Sequence, residues 1–186
     1  MIQVRDLIKS FGPQAILDGV SFGIEKGESL VIIGRSGGGK SVLLKHIIGL
    51  LRPDSGHVVI DDEDITHLNE RELIRVRSKF GMVFQGAALF DSMTVAENVA
   101  FALRREKKFS EPEIAGKVTE ALDMVELRDV EKKRPSELSG GMRKRVGLAR
   151  AIIYHPEIVL YDEPTTGLDP IVSDSIDKLI MRVRDC

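Results

Sequence analysis

The sequence predicts an α/β fold in which a sheet core carries a helical insert, and three observations predict it. Two short apolar runs, Leu30-Val31-Ile32-Ile33 and Ile158-Val159-Leu160-Tyr161, have the length and composition of strands buried in a parallel sheet. Between them, from about Ser92 to Tyr154, the spacing of apolar residues turns helical. A glycine-rich turn, Gly34 to Gly39, joins the first run to a helix. With 42% hydrophobic and 30% charged residues, the 186-residue chain can build one domain with a core, which excludes a disordered chain.

Taken in order, residues 2–8 and 16–24 read as strands with a turn at Gly12-Pro13. The run 30–33 is a strand, and Lys40 to Leu51 a helix that stops at the breaker cluster Arg52-Pro53-Asp54-Ser55-Gly56. His57 to Ile60 is a strand, followed by a turn at Asp61-Asp62, a helix from Glu70 to Ser78 and a strand from Phe80 to Phe84. The helical stretch has polar joints near Lys107–Pro112 and Arg128–Glu137. After the strand 158–161, Asp169 as N-cap with Pro170 at the first helical position starts a helix that runs to the end of the chain. The expected division is a core with a β subdomain from residues 1–91 and 155–186, and a helical subdomain from 92–154.

Charge and cysteine content narrow the function classes. The net charge of −2 gives no global basic field, so nucleic acid is not an expected partner. One cysteine, Cys186, excludes an intrachain disulfide framework and fits a reducing compartment. The opening residues lack a signal-peptide pattern, and no run approaches the ~20 apolar residues of a spanning helix. His46, His57, His67 and His155 lack metal-ligand spacing. The basic groups Lys132-Lys133-Arg134 and Arg143-Lys144-Arg145 read as solvated helix faces.

Three motifs carry chemistry. Gly34-Arg35-Ser36-Gly37-Gly38-Gly39-Lys40-Ser41 fits the phosphate-binding P-loop, between a strand and a helix as that chemistry requires. Its glycines turn backbone N–H groups toward phosphate oxygens, and the helix start adds positive potential. Lys40 reaches the β- and γ-phosphates and the Ser41 hydroxyl ligates Mg²⁺. Asp162-Glu163 stand at the C-terminal end of a buried strand, the edge where open α/β sheets bind ligands. There Asp162 can hold Mg²⁺, and Glu163 can polarise and position an attacking water. Leu138-Ser139-Gly140-Gly141-Met142 opens a second helix, with Ser139 as N-cap before two glycines, and makes a second anion-binding helix start that another chain can use.

In this order the motifs resemble the ATP-binding-cassette (ABC) ATPases, over essentially the whole chain. The resemblance implies a P-loop NTPase core with an antiparallel β subdomain and an inserted α-helical subdomain. Leu138–Met142 resembles the family's signature motif, and Gln85 its Q-loop glutamine, which senses Mg²⁺ and couples to a transmembrane partner. Thr166-Gly167-Leu168-Asp169 resembles the D-loop, and Phe11 sits where the family places an aromatic that stacks on adenine. The implied catalytic residues are Glu163, Lys40 and Gln85. Ser41, Gln85 and Asp162 are implied for the metal. Phe11, Gly34 through Val42 (including Arg35, Ser36, Gly37, Gly38 and Gly39), Ser139, Gly140, Gly141 and Asp169 are implied for ATP.

The resemblance also implies a mechanism and partners. Two copies meet head to tail around two ATP molecules, each site combining Lys40, Ser41, Gln85, Asp162 and Glu163 of one copy with Ser139, Gly140 and Gly141 of the other. An integral membrane permease carries the transport path, and the ATPase sits peripherally on the cytoplasmic face of the bacterial inner membrane. Val42–Leu50, Phe84–Val95 and Ser139–Val146 resemble the ATPases of bacterial Mla-type (toluene-tolerance) phospholipid transporters, which work with an MCE-domain lipid-binding protein.

One family element is missing: no histidine follows Asp162-Glu163, and the chain stops at Cys186. The expectation is a C-terminally truncated cassette that binds ATP and hydrolyses it poorly. Turnover comparable to that of a chain extended past the family's switch histidine would reject it. The competing classes are a soluble ABC-type ATPase not coupled to transport and a nucleotide-binding fragment without turnover. Against the first, only residues 86–137 separate Gln85 from Leu138, without sustained heptads.

Overall fold

The computed structural model describes residues 1–184, so Cys186 lies outside the described residues. The chain divides into two compact units, Met1–Lys79 and a second from Phe80 onward.

The first unit is built on β1 (Ile2–Phe11), β2 (Gln14–Ile24), β3 (Ser55–Ile60) and β4 (Glu63–Asp64), an antiparallel sheet in the order β2-β1-β3-β4. Alternation puts Ile2 and Val4 of β1 and Val58 and Ile60 of β3 inside. Between Val4 and Leu7 the register shifts, with Asp6 at φ 47°, and this extra step returns Leu7 to full burial. Two helices complete the unit. α1 (Lys40–Ile47) buries Leu43, Leu44 and Ile47, and α2 (Glu70–Arg77) buries Leu73 and Val76. Each such side chain contributes about 1.5–3 kcal/mol by leaving water. α2 starts on a reciprocal cap: Asn69 Oδ1 accepts from the Arg71 and Glu72 N–H groups, and Glu72 accepts from the Asn69 N–H. α1 is shorter than the expected 40–51, because its last turn tightens, Gly49 N–H donating to the His46 carbonyl three residues back at 3.0 Å.

The second unit holds β5 (Phe80–Val83) and β6 (Ile158–Tyr161), paired in parallel from Phe80↔Ile158 to Val83↔Tyr161. Around them lie α3 (Val95–Glu106), α4 (Glu111–Met124), α5 (Gly140–Ile152) and α6 (Pro170–Arg184). Val83, Val99, Leu122, Val146, Ile152 and Leu179 bring strand and helices into one apolar cluster. Asn98 of α3, fully buried, fastens the preceding loop: it accepts from Phe90 N–H at 2.7 Å and donates to the Phe90 and Thr94 carbonyls. A reciprocal cap at Thr94/Glu97 starts α3, and at the start of α4 Glu113 accepts from both the Ser110 N–H and its hydroxyl. Asp169 Oδ1 accepts from the Ile171 and Val172 N–H groups, the cap expected for α6. No helix among the described residues is long and apolar enough to cross a membrane.

One expected element differs. Leu30–Ile33 is not a strand, and Leu30, Val31 and Ile33 are exposed, the last at 92%. A parallel strand takes its hydrogen bonds and its burial from neighbours, and among the described residues no strand pairs with this run. An apolar run without a ladder stays irregular.

Candidate functional site

In the first unit, residues 34–39 form a loop leading into α1, whose first residues are Lys40 and Ser41. Gly38 N–H donates to the Arg35 carbonyl at 3.0 Å, which curls the loop. Lys40 Nζ lies across its mouth, donating to the Gly34 and Arg35 carbonyls, each at 3.0 Å. Gly39 caps α1 at φ 88° and offers no side-chain acceptor, so a bound anion can take the first-turn N–H groups. A Cβ on Gly39 would stand 2.9 Å from the Ile16 carbonyl and 3.1 Å from Leu17 Cδ2, both on β2. The loop is therefore seated against the sheet, and Leu43, Leu44 and Ile47 anchor the helix behind it. Gly39→Ala combines a disfavoured φ with this contact, and we expect ATP affinity to fall by about tenfold or more, read by titration with a fluorescent nucleotide.

Phe11 ends β1 and is 49% exposed, so it is not a core aromatic. Lys9 Nζ stands 5.6 Å from its ring centroid and is paired with Asp54 at 2.7 Å. That hydrogen bond, with one from Ser10 N–H, holds the Asp54 carboxyl below its usual range.

In the second unit, the parallel register brings the C-terminal ends of β5 and β6 side by side, and Asp162 N–H donates to the Val83 carbonyl at 2.9 Å. Asp162 is buried. Gln85, after β5, and Glu163, after β6, meet there: Gln85 Nε2 donates to Glu163 Oε2 at 2.9 Å. Thr166 Oγ1 donates to the same oxygen at 3.1 Å. Glu163 has φ 47°, a conformation rare outside glycine, which accompanies its placement at the strand end. A carboxylate held in this way can orient a water and accept its proton. Just before it, burial pushes the Tyr161 hydroxyl up to about 12.

Ser139 caps α5, its Oγ accepting from Met142 N–H at 3.2 Å. Gly140 and Gly141 face the start of α6: a Cβ on Gly140 would stand 3.4 Å from Leu168 Cδ2, just before it, and one on Gly141 2.7 Å from Val172 Cγ1 in its first turn. The basic group after them is not a solvated face throughout. Arg143 is exposed, but Lys144 is buried, its Nζ donating to the Gln85 carbonyl. Arg145 donates to the Val125 carbonyl and pairs with Glu126 at 2.9 Å. Helical spacing carried the signal: Lys144 lies three and four residues before Gly147 and Leu148, on the buried face. The glycine-rich loop belongs to the first unit, and Gln85, Asp162, Glu163 and Ser139 to the second.

A glycine-rich anion loop opening a helix, and an acidic pair closing a parallel strand, define a P-loop nucleotide-binding domain. The family model described as ABC transporter matches residues 17–166, and the chain belongs to that family. It is 49% identical to the "Probable ribonucleotide transport ATP-binding protein mkl" of Mycobacterium leprae, over 98% of this chain and 52% of that one. It is 42% identical to the "Intermembrane phospholipid transport system ATP-binding protein MlaF" of Haemophilus influenzae, over 100% of this chain and 70% of that one. Among solved structures, the dimeric post-hydrolysis state of the ATP-binding cassette MJ0796, bound to ADP and Pi, matches with a TM-score of 0.90 at 34% identity, over 100% of this chain and 83% of that one. The chain thus spans about half the length of its mycobacterial relatives.

Proposed function

We propose that this chain binds and hydrolyses ATP as the energy-coupling subunit of a membrane transporter, and that the cargo is phospholipid. The observation that carries the ATPase reading is the Gln85–Glu163 hydrogen bond at the paired ends of β5 and β6, which presents a carboxylate held for work on water. The phosphate-binding loop supports it, since its uncapped helix start and curled backbone suit a polyphosphate.

In this reading Lys40 leaves the Gly34 and Arg35 carbonyls to bind the β- and γ-phosphates, while N–H groups of residues 37–42 cradle them. Phe11 offers its exposed ring to the adenine. Ser41, Gln85 and Asp162 are the oxygen ligands that would hold Mg²⁺. When bound, the ion neutralises charge on the β- and γ-phosphates. Glu163, oriented by Gln85 and Thr166, takes the proton of the attacking water. Ser139, Gly140 and Gly141 of a second copy, arranged head to tail, close the site over the γ-phosphate, and Asp169 lies beside that junction. The chain is thereby divided by role: residues 1–91 and 155–186 form the nucleotide core and 92–154 the helical part that carries Ser139. ATP binding favours the closed pair and hydrolysis releases it, so the affinity difference between the two states supplies the motion.

The partners of this reading are a permease in the bacterial inner membrane, on whose cytoplasmic face the chain is peripheral, and an MCE-domain lipid-binding protein. The phospholipid assignment draws on the likeness to the phospholipid transport relative, while a ribonucleotide transport protein matches at higher identity, 49% against 42%. Reconstitution with the permease in vesicles separates these. Phospholipid is expected to move between vesicles and carrier only with Mg-ATP and intact Glu163. ATP-dependent uptake of ribonucleotides without lipid movement would overturn the phospholipid reading.

A further inference from the structure

The mechanism above uses Gln85 and Glu163 but says nothing of what holds Gln85. The segment from Gln85 to Ala88 bends sharply: Ala87 and Ala88 have φ of 59° and 46°, which side-chain-bearing residues rarely adopt. Such a backbone persists only where surrounding contacts over-determine it. One face of α5 supplies those contacts. Lys144 Nζ donates to the Gln85 carbonyl. Gly147 gives Ala87 its room, since a Cβ there would stand 3.1 Å from Ala87 Cβ. Arg150 donates to the Ala87 and Ala88 carbonyls at 2.7 and 2.6 Å.

Gly147 acts by packing, whereas Lys144 and Arg150 each bring a cation to backbone carbonyls, and of these two only Lys144 donates to Gln85 itself. Lys144 is 8% exposed, next to the buried Gly147 and Leu148 one turn on. Burying an ammonium costs more than burying a methionine of similar length unless its charge has work to do. Its donor goes to the backbone of the residue whose side chain holds Glu163. Burial pushes the Lys144 ammonium below its usual range, and the charge of Glu163 acts against that.

We propose that Lys144 is a positioning residue for ATP hydrolysis. It pins the Gln85 backbone so that the Gln85 amide meets Glu163, and it ties the helix that starts at Ser139 to the water-activating carboxylate. Because α5 begins at the glycines proposed to contact the second copy's nucleotide, the tie gives one site a mechanical route to the other. This inference rests on the ATPase reading for its effect on turnover, but not for the existence of the tie.

The test uses Lys144→Met, Lys144→Gln and Lys144→Arg in the full chain, with two readouts. The first is amide hydrogen exchange of residues 85–89 without nucleotide. Lys144→Met is expected to speed it about tenfold, and Lys144→Arg to restore protection. The second is steady-state hydrolysis. Lys144→Met is expected to lower kcat about tenfold or more with KM for ATP within about twofold and thermal midpoint unchanged, and Lys144→Arg to recover most of kcat. If Lys144→Met does not fold, Lys144→Gln, which keeps a donor without the charge, is judged on the same kcat and KM criteria. Unchanged exchange, an unchanged kcat, or a fall in kcat that only follows loss of folded protein overturns the proposal. Absence of turnover in the unsubstituted chain overturns the ATPase reading instead, and the exchange result still decides the tie.

Discussion

Glu163→Gln is expected to cut ATP turnover by about 10²–10⁴-fold while leaving ATP affinity within a few fold, because a general base contributes about that much to a proton transfer. The substitution keeps size and shape. Its amide oxygen can still accept from Gln85 Nε2 and Thr166 Oγ1, which now meet on Glu163 Oε2. What disappears is the negative charge and the capacity to take a proton from water. The variant should therefore hold ATP without consuming it, and pairs of chains formed on ATP should persist. Steady-state phosphate release and nucleotide titration measure the two halves of this result. Turnover within about threefold of the unsubstituted chain would remove Glu163 from the reaction.

Lys40→Met should act on binding. A charge-assisted hydrogen bond to phosphate is worth about 1.5–3 kcal/mol, so ATP affinity should fall by about 10–100-fold. The loop itself should survive, because the Gly34 and Arg35 carbonyls that Lys40 now contacts belong to exposed residues and can turn to water. Its seat against β2 does not depend on the lysine, since it is Gly39 that lies too near Ile16 and Leu17 to admit a Cβ. Lys40→Arg should not rescue, because a planar fork cannot replace a compact ammonium in a curled backbone loop. Titration with a fluorescent nucleotide, beside the melting curve of each variant, checks both statements.

The residues on which the proposed chemistry rests were legible because they stand in local patterns. Four glycines before Lys40-Ser41 announce an anion loop, and two carboxylates after Ile158-Val159-Leu160-Tyr161 announce a strand end. The Asp169-Pro170 start of α6 and the strands on either side of Gly12-Pro13 were legible for the same reason. Non-local facts were not. The run Leu30–Ile33 reads as a strand by composition, yet strand formation needs a partner, and composition does not say whether one pairs with it. Lys144 reads as one of three surface cations, and only its helical phase relative to Gly147 and Leu148 turns it inward. The meeting of Gln85 with Glu163 is written nowhere in the sequence as such. It follows from the parallel register of β5 and β6, which sets their two ends side by side.

The central claim is that the chain hydrolyses ATP at a site completed by a second copy. Phosphate release by the full chain with Mg-ATP, measured over a dilution series in which light scattering reports both single chains and pairs, tests it most directly. The account predicts that the rate per chain rises with the fraction paired and vanishes in Glu163→Gln. A rate per chain that is independent of pairing, or no release at any concentration, would contradict it.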